Sequence, residues 1–140
     1  MSARVIVAEN GLGRYQQTVT IGQHQLLADE PESVGGSDAG PAPFEFLMAG
    51  LGACTAMTIR MYAERKEMPL TGIKVALSHD KTEVDGKLVE RIERNITLEG
   101  SLSPEQRERL LDIANRCPVH RALMQPLVVE THLLETTAAD

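Results

Sequence analysis

The sequence lacks tryptophan and contains only two phenylalanines and two tyrosines, so aromatic residues make up 3% of its 140 positions. The hydrophobic fraction is nevertheless 42%, which is ordinary for a soluble fold and large enough for a core. That core must therefore be built from Leu, Ile, Val, Met and Ala. The length predicts a single domain that spans residues 1–140.

Positive charge is also scarce, because 14 Lys and Arg face 20 Asp and Glu and the net charge is −6. Without a basic arm or an aromatic-plus-arginine surface, a nucleic-acid partner is not expected. No apolar run approaches the ~20 residues of a membrane span. The first nine residues lack the hydrophobic region of a signal peptide. These features predict a cytoplasmic protein with no membrane partner.

Cysteine occurs only twice, at Cys54 within the apolar stretch 47–57 and at Cys117, which opens the segment 117–121. In a reducing compartment a cysteine pair is more often redox-active or free than a structural disulfide. A single buried cysteine is, however, more often an inert core residue. If the two thiols meet in the fold, they can cycle between dithiol and disulfide.

Hydrophobic periodicity and turn residues predict the secondary structure. Residues 3–10 and 14–28 read as a three-stranded antiparallel meander. The loop 29–43, rich in Gly, Pro and acidic residues, is either functional or a floppy connector. From Phe44 to about Lys66 the pattern is helical, and because its first two-thirds are apolar nearly all round, we expect burial on most sides.

The second half predicts further strands and helices, with an Asp85-Gly86 hairpin turn and a Ser103-Pro104 helix start. The order βββ-α-ββ-α-α-β favours an α+β fold with antiparallel pairing. One small sheet cannot cover the long apolar helix, so a second copy of the chain is expected to bury it. The predicted elements are strands at 72–80 and 87–99, helices at 103–116 and 117–124, a last strand at 127–135 and a frayed tail at 136–140.

The two cysteines differ in their local chemistry. Pro118 suits the first position of a helix, which makes Cys117 its N-cap. There the unpaired N–H groups and the helix dipole lower the thiol pKa, and nearby His120 can help. Cys54 sits mid-helix among apolar neighbours, which raises its pKa unless a cation such as Arg14 approaches.

Glu45 is the acid at the head of the apolar helix, where a carboxylate is favourable. It stands nine residues before Cys54, about 13 Å along the helix, so it can approach only the Cys54 of a second copy packed antiparallel. Cys117 and His120 have the spacing of a metal pair or a thioredoxin-type motif, but the second cysteine and a preceding strand are missing. We therefore predict no metal and no cofactor.

Two segments of the chain are similar to a known family. The stretch Gly40–Met57, GPAPFEFLMAGLGACTAM, followed by RCPVHR at Arg116–Arg121, resembles the OsmC/Ohr family, and the resemblance covers nearly the whole chain. It implies an intertwined homodimer in which antiparallel sheets wrap around central helices. The resemblance also places two active sites at the dimer interface.

The same resemblance implies a thiol peroxidase that reduces organic hydroperoxides, with H2O2 as a further substrate, in oxidative stress defence. Cys54 attacks the peroxide and forms a sulfenic acid, and Cys117 resolves it into a disulfide. Arg14 would hold the thiolate. The family glutamate that orients this arginine follows proline directly, whereas here Phe44 does and Glu45 comes one residue later, as in a third, OsmC-like branch.

The implied reductant is a dithiol, either a lipoylated protein or a thioredoxin-like protein. Apolar walls from Leu47, Leu51, Met57 and Met61 would favour organic peroxides. Two alternatives remain open. One is a non-catalytic OsmC-like stress protein, a ligand-binding or sensing dimer with a redox-active cysteine pair. The other is a structural protein with two inert thiols.

Overall fold

The computed structural model describes residues 4–134 and has the predicted α+β architecture with antiparallel sheets. A three-stranded sheet precedes the long helix, and a two-stranded sheet follows it. Two shorter helices come after the second sheet, and residues 124–134 follow the last of them. The elements are β1 (Val5–Glu9), β2 (Gln17–Ile21), β3 (His24–Ala28), the 3₁₀ turn Glu32–Val34, α1 (Pro43–Arg65), β4 (Leu70–Val84), β5 (Lys87–Gly100), α2 (Pro104–Ala114) and α3 (Pro118–Leu123).

The N-terminal meander is confirmed, with β2 paired antiparallel to β1 on one side and to β3 on the other. Gly22, with φ at +60°, makes the tight turn between β2 and β3. The loop that follows is ordered rather than floppy. Asp29 is buried within it, and its carboxylate accepts three backbone N–H groups, from Glu30 at 2.7 Å and from Ser37 and Ala39 at 3.1 Å each.

Helix α1 starts and ends within one residue of its predicted bounds. Pro43 occupies its first position, where the missing N–H costs nothing, and the Glu45 carboxylate accepts the Ala42 N–H at 2.8 Å. Within one chain the expectation of burial on most sides is wrong. The helix buries one stripe of residues at intervals of about four and exposes Met57 and Met61 by 60% and 64%. The buried residues are Leu51, Gly52, Thr55, Ile59 and Ala63.

By length and composition α1 would pass for a membrane-spanning helix, since its best 18-residue window has a mean hydropathy of 1.2. On that measure, the sequence expectation that no apolar run approaches membrane length was wrong. Core helices pass the same test, and the buried stripe of α1 packs against β4, α2 and α3. One helix of this kind is weak evidence for a membrane span.

The second sheet is one long hairpin, which confirms both predicted strands and extends β4 four residues beyond 80. Asp85 and Gly86 have φ of +51° and +77°, as the two central residues of a type I′ turn require. On β5 the even-numbered residues face the helices. That inward row consists of Ile92, Arg94, Ile96 and Leu98.

Helices α2 and α3 start as predicted. Ser103 Oγ accepts the Gln106 N–H at 3.1 Å, and Gln106 Oε1 accepts the Ser103 N–H at 2.9 Å, so the capping box is complete. Helix α2 ends at Ala114, two residues before the predicted Arg116, and Cys117 caps α3. The main hydrophobic core joins α1, β4 and α2 through Ile59, Ala63, Leu70, Leu110 and Ala114.

The predicted last strand is corrected. Residues 127–134 have no regular secondary structure, and their apolar side chains are exposed, Val128 by 84% and Leu133 by 99%. A strand needs a neighbour for its backbone hydrogen bonds, and the described part of this chain provides none for the segment. Glu135 and the predicted tail at 136–140 lie outside the described residues.

Candidate active site at two neighbouring cysteines

Cys117 lies in the turn between α2 and α3, where its side chain is completely buried. Its backbone is extended, and Pro118 begins the helix immediately after it, so the thiol faces the free N–H groups of the first turn. The N–H of His120 donates to Sγ at 3.3 Å. From the other side, Thr55 of α1 presents its hydroxyl to the same sulfur at 3.9 Å.

Cys54 lies on α1 next to Thr55 and is half-buried. The backbone N–H of Val119 and the Thr58 hydroxyl are polar groups near its thiol, and both act to lower its pKa. The Cys54 and Cys117 thiols lie close enough for each to shift the pKa of the other. The fold therefore brings together the two sulfur atoms that the sequence singled out, and both are free thiols.

The pKa values of the two thiols shift in opposite directions. Burial is the main reason that the pKa of Cys54 rises above its ordinary value. Burial is also the largest influence on Cys117, but hydrogen bonds from His120, Cys54, Thr55 and Val119 outweigh it, and the pKa of Cys117 falls. This ranking is the one predicted from the N-cap position. The S–H of Cys54 can thus donate to a Cys117 thiolate.

Arg94 is the residue at this site that the sequence analysis missed. Its Nη1 donates to Thr55 Oγ1 at 2.9 Å and to the Ala114 carbonyl at 3.2 Å, and its Nη2 donates to Asn115 Oδ1 at 2.7 Å. Arg94 occupies an inward position of β5 between two isoleucines. An arginine in an otherwise apolar inward row must find polar partners, and that pattern was the available signal.

His120 is the other titratable side chain near the cysteines. Burial first, and then the positive charge of Arg94, lower the pKa of its imidazole. Both influences favour the neutral ring. His120 also lines a cavity between α1, β5 and α3, so this cavity has a neutral hydrogen-bonding group as well as a cation on its wall.

The two other predicted site residues lie elsewhere in the chain. Arg14 is exposed, with its guanidinium carbon 5.0 Å from the ring centroid of Tyr15. Glu45 caps its own helix through Ala42. Within residues 4–134 neither side chain hydrogen-bonds to a cysteine, so their part in the chemistry stays a prediction.

A cavity of about 440 Å³ opens between the head of α1, β5 and α3. Neither cysteine is among its described lining residues, but His120, whose N–H donates to Cys117 Sγ, is one of them. Leu47 and Leu51, two of the four predicted apolar walls, line it, whereas Met57 and Met61 border other surfaces of α1. Glu90, Arg94 and His120 supply its polar groups. Its remaining lining residues are Phe44, Ile92, Leu123 and Met124.

Comparisons with known proteins agree with this fold. The sequence model of the family described as OsmC-like protein matches residues 35–132. The solved OsmC-like protein of Mycoplasma pneumoniae is 21% identical with a TM-score of 0.74, covering 89% of this chain and 88% of that one. A comparison with curated protein sequences gave no match.

Two further solved structures have names that refer to hydroperoxides. An organic hydroperoxide resistance protein OsmC from Legionella pneumophila is 20% identical with a TM-score of 0.67, covering 88% of this chain and 89% of its own. An organic hydroperoxide resistance protein from Elizabethkingia anophelis, with thiocyanate bound, is 18% identical with a TM-score of 0.65 and 87% coverage of both chains. At these identities the likeness establishes the fold.

Proposed function

We propose, from the premise that this chain belongs to the OsmC-like protein family, that it reduces organic hydroperoxides with its two cysteines in oxidative stress defence. The observation that carries the proposal is the closeness of the Cys54 and Cys117 thiols, each of which shifts the pKa of the other, beside the donors that His120 and Thr55 direct at Cys117. A pair of inert core thiols would need neither this closeness nor the hydrogen bonds that favour one thiolate.

In the first step Cys54 is the nucleophile, because it is half-buried while Cys117 is completely enclosed. The Cys54 sulfur attacks the terminal peroxide oxygen, the O–O bond breaks, and an alkoxide leaves and takes up a proton as the alcohol. Cys54 is thereby oxidised to a sulfenic acid. H2O2 would react in the same way and release water.

In the second step Cys117 resolves the sulfenic acid. Its thiolate attacks the Cys54 sulfur, the S–O bond breaks, and hydroxide leaves and is protonated to water. The hydrogen bonds from His120 and Thr55 that favour the Cys117 thiolate suit it to this role. A dithiol reductant, such as a lipoylated or thioredoxin-like protein, then restores both thiols by two exchange reactions.

The proposed active form is a homodimer in the cytoplasm, where free thiols persist. The exposed methionines of α1 and the unpaired segment 127–134 are apolar surfaces that a second copy would cover. Arg14 of the partner subunit would place a second cation near the Cys54 thiol, in addition to Arg94 of the same chain, which donates to the neighbouring Thr55. Glu45 of one subunit would orient that arginine in addition to capping α1.

The cavity that His120 lines favours a substrate with an apolar body. Leu47, Leu51, Ile92 and Leu123 would contact the organic group, while Arg94 and His120 present donors. Organic peroxides such as tert-butyl or cumene hydroperoxide would therefore react faster than H2O2. This selectivity follows from burial of apolar surface, worth roughly 25 cal/mol per Å².

The test is peroxide titration of the reduced protein followed by mass spectrometry. We expect wild type to lose two hydrogens in a Cys54–Cys117 disulfide. Cys117→Ser should stop at a sulfenic acid that dimedone traps at Cys54. Cys54→Ser should consume cumene hydroperoxide no faster than free cysteine does, and consumption at the wild-type rate would remove the nucleophile assignment.

A second candidate function is binding or sensing without turnover. It is favoured by the raised pKa of Cys54, mainly from burial, and by the use of Glu45 as a cap within its own chain. In that case the cavity would hold a small electrophile or acyl ligand. Negligible turnover with dithiothreitol, together with saturable binding at the cysteine pair, would favour this reading over the peroxidase.

A further inference from the structure

Arg94 contacts both segments of the chain that carry a cysteine. On one side it donates to the Thr55 hydroxyl, and Thr55 is the residue after Cys54 on α1. On the other side it donates to the Ala114 carbonyl and to the Asn115 side chain, in the turn that leads to Cys117. The guanidinium therefore bridges the helix of one thiol and the turn of the other.

We propose that Arg94 is a positioning residue that holds the Cys54 helix and the Cys117 turn at the separation from which the disulfide forms. We call this bridge from Arg94 to Thr55, Ala114 and Asn115 the clamp. It rests on the proposed function only where the oxidant is a peroxide, because it would act in any oxidation of the two thiols to a disulfide. Arg94 touches neither sulfur, so its action passes through Thr55 and through the Ala114–Asn115 turn.

The planar fork of arginine suits this bridge. Its two terminal nitrogens reach three acceptors in fixed directions, which the single flexible ammonium of lysine cannot reproduce. The bonds are short, between 2.7 and 3.2 Å, and Thr55 at their centre is completely buried. A charge-assisted bond in such a place is about twice as strong as a neutral one.

Arg94 also affects how the Thr55 hydroxyl is used. Because Nη1 donates to Oγ1, the hydroxyl proton is directed away from the arginine, towards the Leu51 carbonyl at 2.7 Å or Cys117 Sγ at 3.9 Å. A thiolate at Cys117 would attract that proton. Of the titratable groups around this sulfur, Cys54 on α1 shifts the pKa of Cys117, His120 on α3 contributes its backbone N–H, and Arg94 on β5 reaches it through Thr55.

Disulfide geometry explains why the clamp matters. A disulfide requires Cα atoms within about 7 Å of each other and specific side-chain torsions. The helix and the turn come from distant parts of the sequence, so nothing in the covalent chain keeps them at that distance. Misplacement of reacting groups by about 1 Å can slow a reaction by about 100-fold.

The experiment uses diamide, which oxidises two thiols to a disulfide without peroxide. One thiolate adds to its N=N bond, the second thiol displaces the resulting hydrazine, and the reagent takes up two electrons and two protons. Arg94→Met and Arg94→Lys are compared with Arg91→Met. Arg91 is the matched control because it lies on the same strand but faces the other way, with Nε and Nη2 on Asp80 at 2.9 and 3.0 Å.

We expect Arg94→Met to slow formation of the intramolecular disulfide by about tenfold or more. It should also shift the equilibrium between the protein disulfide and glutathione towards the reduced protein. The effective concentration of one thiol at the other, calculated from that equilibrium, should fall by a similar factor. Arg94→Lys should recover part of the loss and Arg91→Met should show none. A wild-type rate together with a wild-type glutathione equilibrium in Arg94→Met would overturn the clamp.

Circular dichroism and thermal melting establish whether each variant is folded. If Arg94→Met is unfolded, Asn115→Ala decides, because it removes only the Nη2 contact at the protein surface. We expect it to slow the disulfide by about threefold, the loss of one hydrogen bond, and no change would refute the proposal. If diamide oxidises the wild-type protein and peroxide does not, the peroxidase function is refuted and the clamp is not.

Discussion

At the scale of single residues, the two cysteines show how position decides the pKa of a thiol. Cys117 is the more buried of the two, yet its pKa is lowered because backbone N–H groups and two side chains donate to it. Cys54 has fewer donors to offset its burial, and its pKa is raised. In the proposed mechanism a nucleophile at Cys54 therefore needs a cation beside its sulfur in addition to Arg94, which donates to the neighbouring Thr55.

Arg14 of the partner subunit is the proposed cation, which gives a prediction for Arg14→Met. In the Cys117→Ser background the pKa of Cys54 should rise when Arg14 is removed. Each unit by which the pKa of Cys54 exceeds the working pH lowers the fraction of Cys54 present as thiolate by about tenfold. The rate of its reaction with peroxide falls in proportion. Thiolate absorbance against pH measures the shift. Arg4→Met, at another exposed arginine near the first sheet, is the control and should leave the titration unchanged.

The sequence allowed some of these residues to be predicted, for identifiable reasons. The N-cap role of Cys117 follows from Pro118 alone, since proline fits the first helical position. Contact between the two cysteines rested on family resemblance, because no local pattern reports a meeting of distant segments. Arg94 was missed because alternation along β5 shows only that it faces inward, and not what it meets there.

At the scale of elements, the loop between β3 and α1 shows how one carboxylate orders a segment rich in Gly and Pro. Backbone donors, that of Ala39 first, lower the pKa of Asp29 despite its burial. A carboxyl whose pKa is depressed in the folded state stabilises that state at pH values above its ordinary pKa of 3.8. The contribution is lost as the pH falls through the lower, folded value.

Asp29→Asn tests this role, because an amide keeps the size but replaces one accepting oxygen with a donor. We expect a lower melting temperature at pH 7 and a flatter decline of stability between about pH 5 and pH 3 than in wild type. Thermal melts across that range measure both. Asp38→Asn, at an exposed residue of the same loop whose φ of +53° asparagine tolerates, should melt like wild type. Equal melts for both variants would contradict the role.

Elements whose geometry is specified by residues close in the sequence were predictable. Elements that depend on contact with distant segments were not. The capping box at Ser103 and the Asp85-Gly86 turn each specify their own geometry, and both predictions are confirmed. The strand predicted at 127–135 is rich in apolar residues, but none of the described strands pairs with it.

At the scale of the whole molecule, the chain leaves too much apolar surface uncovered for its size. Met57 and Met61 project from α1, and Leu127, Val128 and Leu133 lie along an unpaired segment. The sequence expectation that one small sheet cannot cover the long helix agrees with this surface. A homodimer would cover both features at once and bring Arg14 of the partner subunit within reach of Cys54.

This gives a prediction for the double variant Met57→Lys, Met61→Lys. Wild type should sediment at twice the chain mass, and the variant should dissociate because burying two methionines contributes about 1.5–3 kcal/mol each. The dissociation constant should rise by about 100-fold or more. Leu111→Lys, at an apolar residue on α2 that is 56% exposed, is the matched control and should remain dimeric.

Since the monomer would lack the partner's Arg14, its Cys54 should also react more slowly with cumene hydroperoxide. A double variant that remains dimeric would place the interface elsewhere, and a wild type that is monomeric at micromolar concentration would remove the dimer from the proposed mechanism.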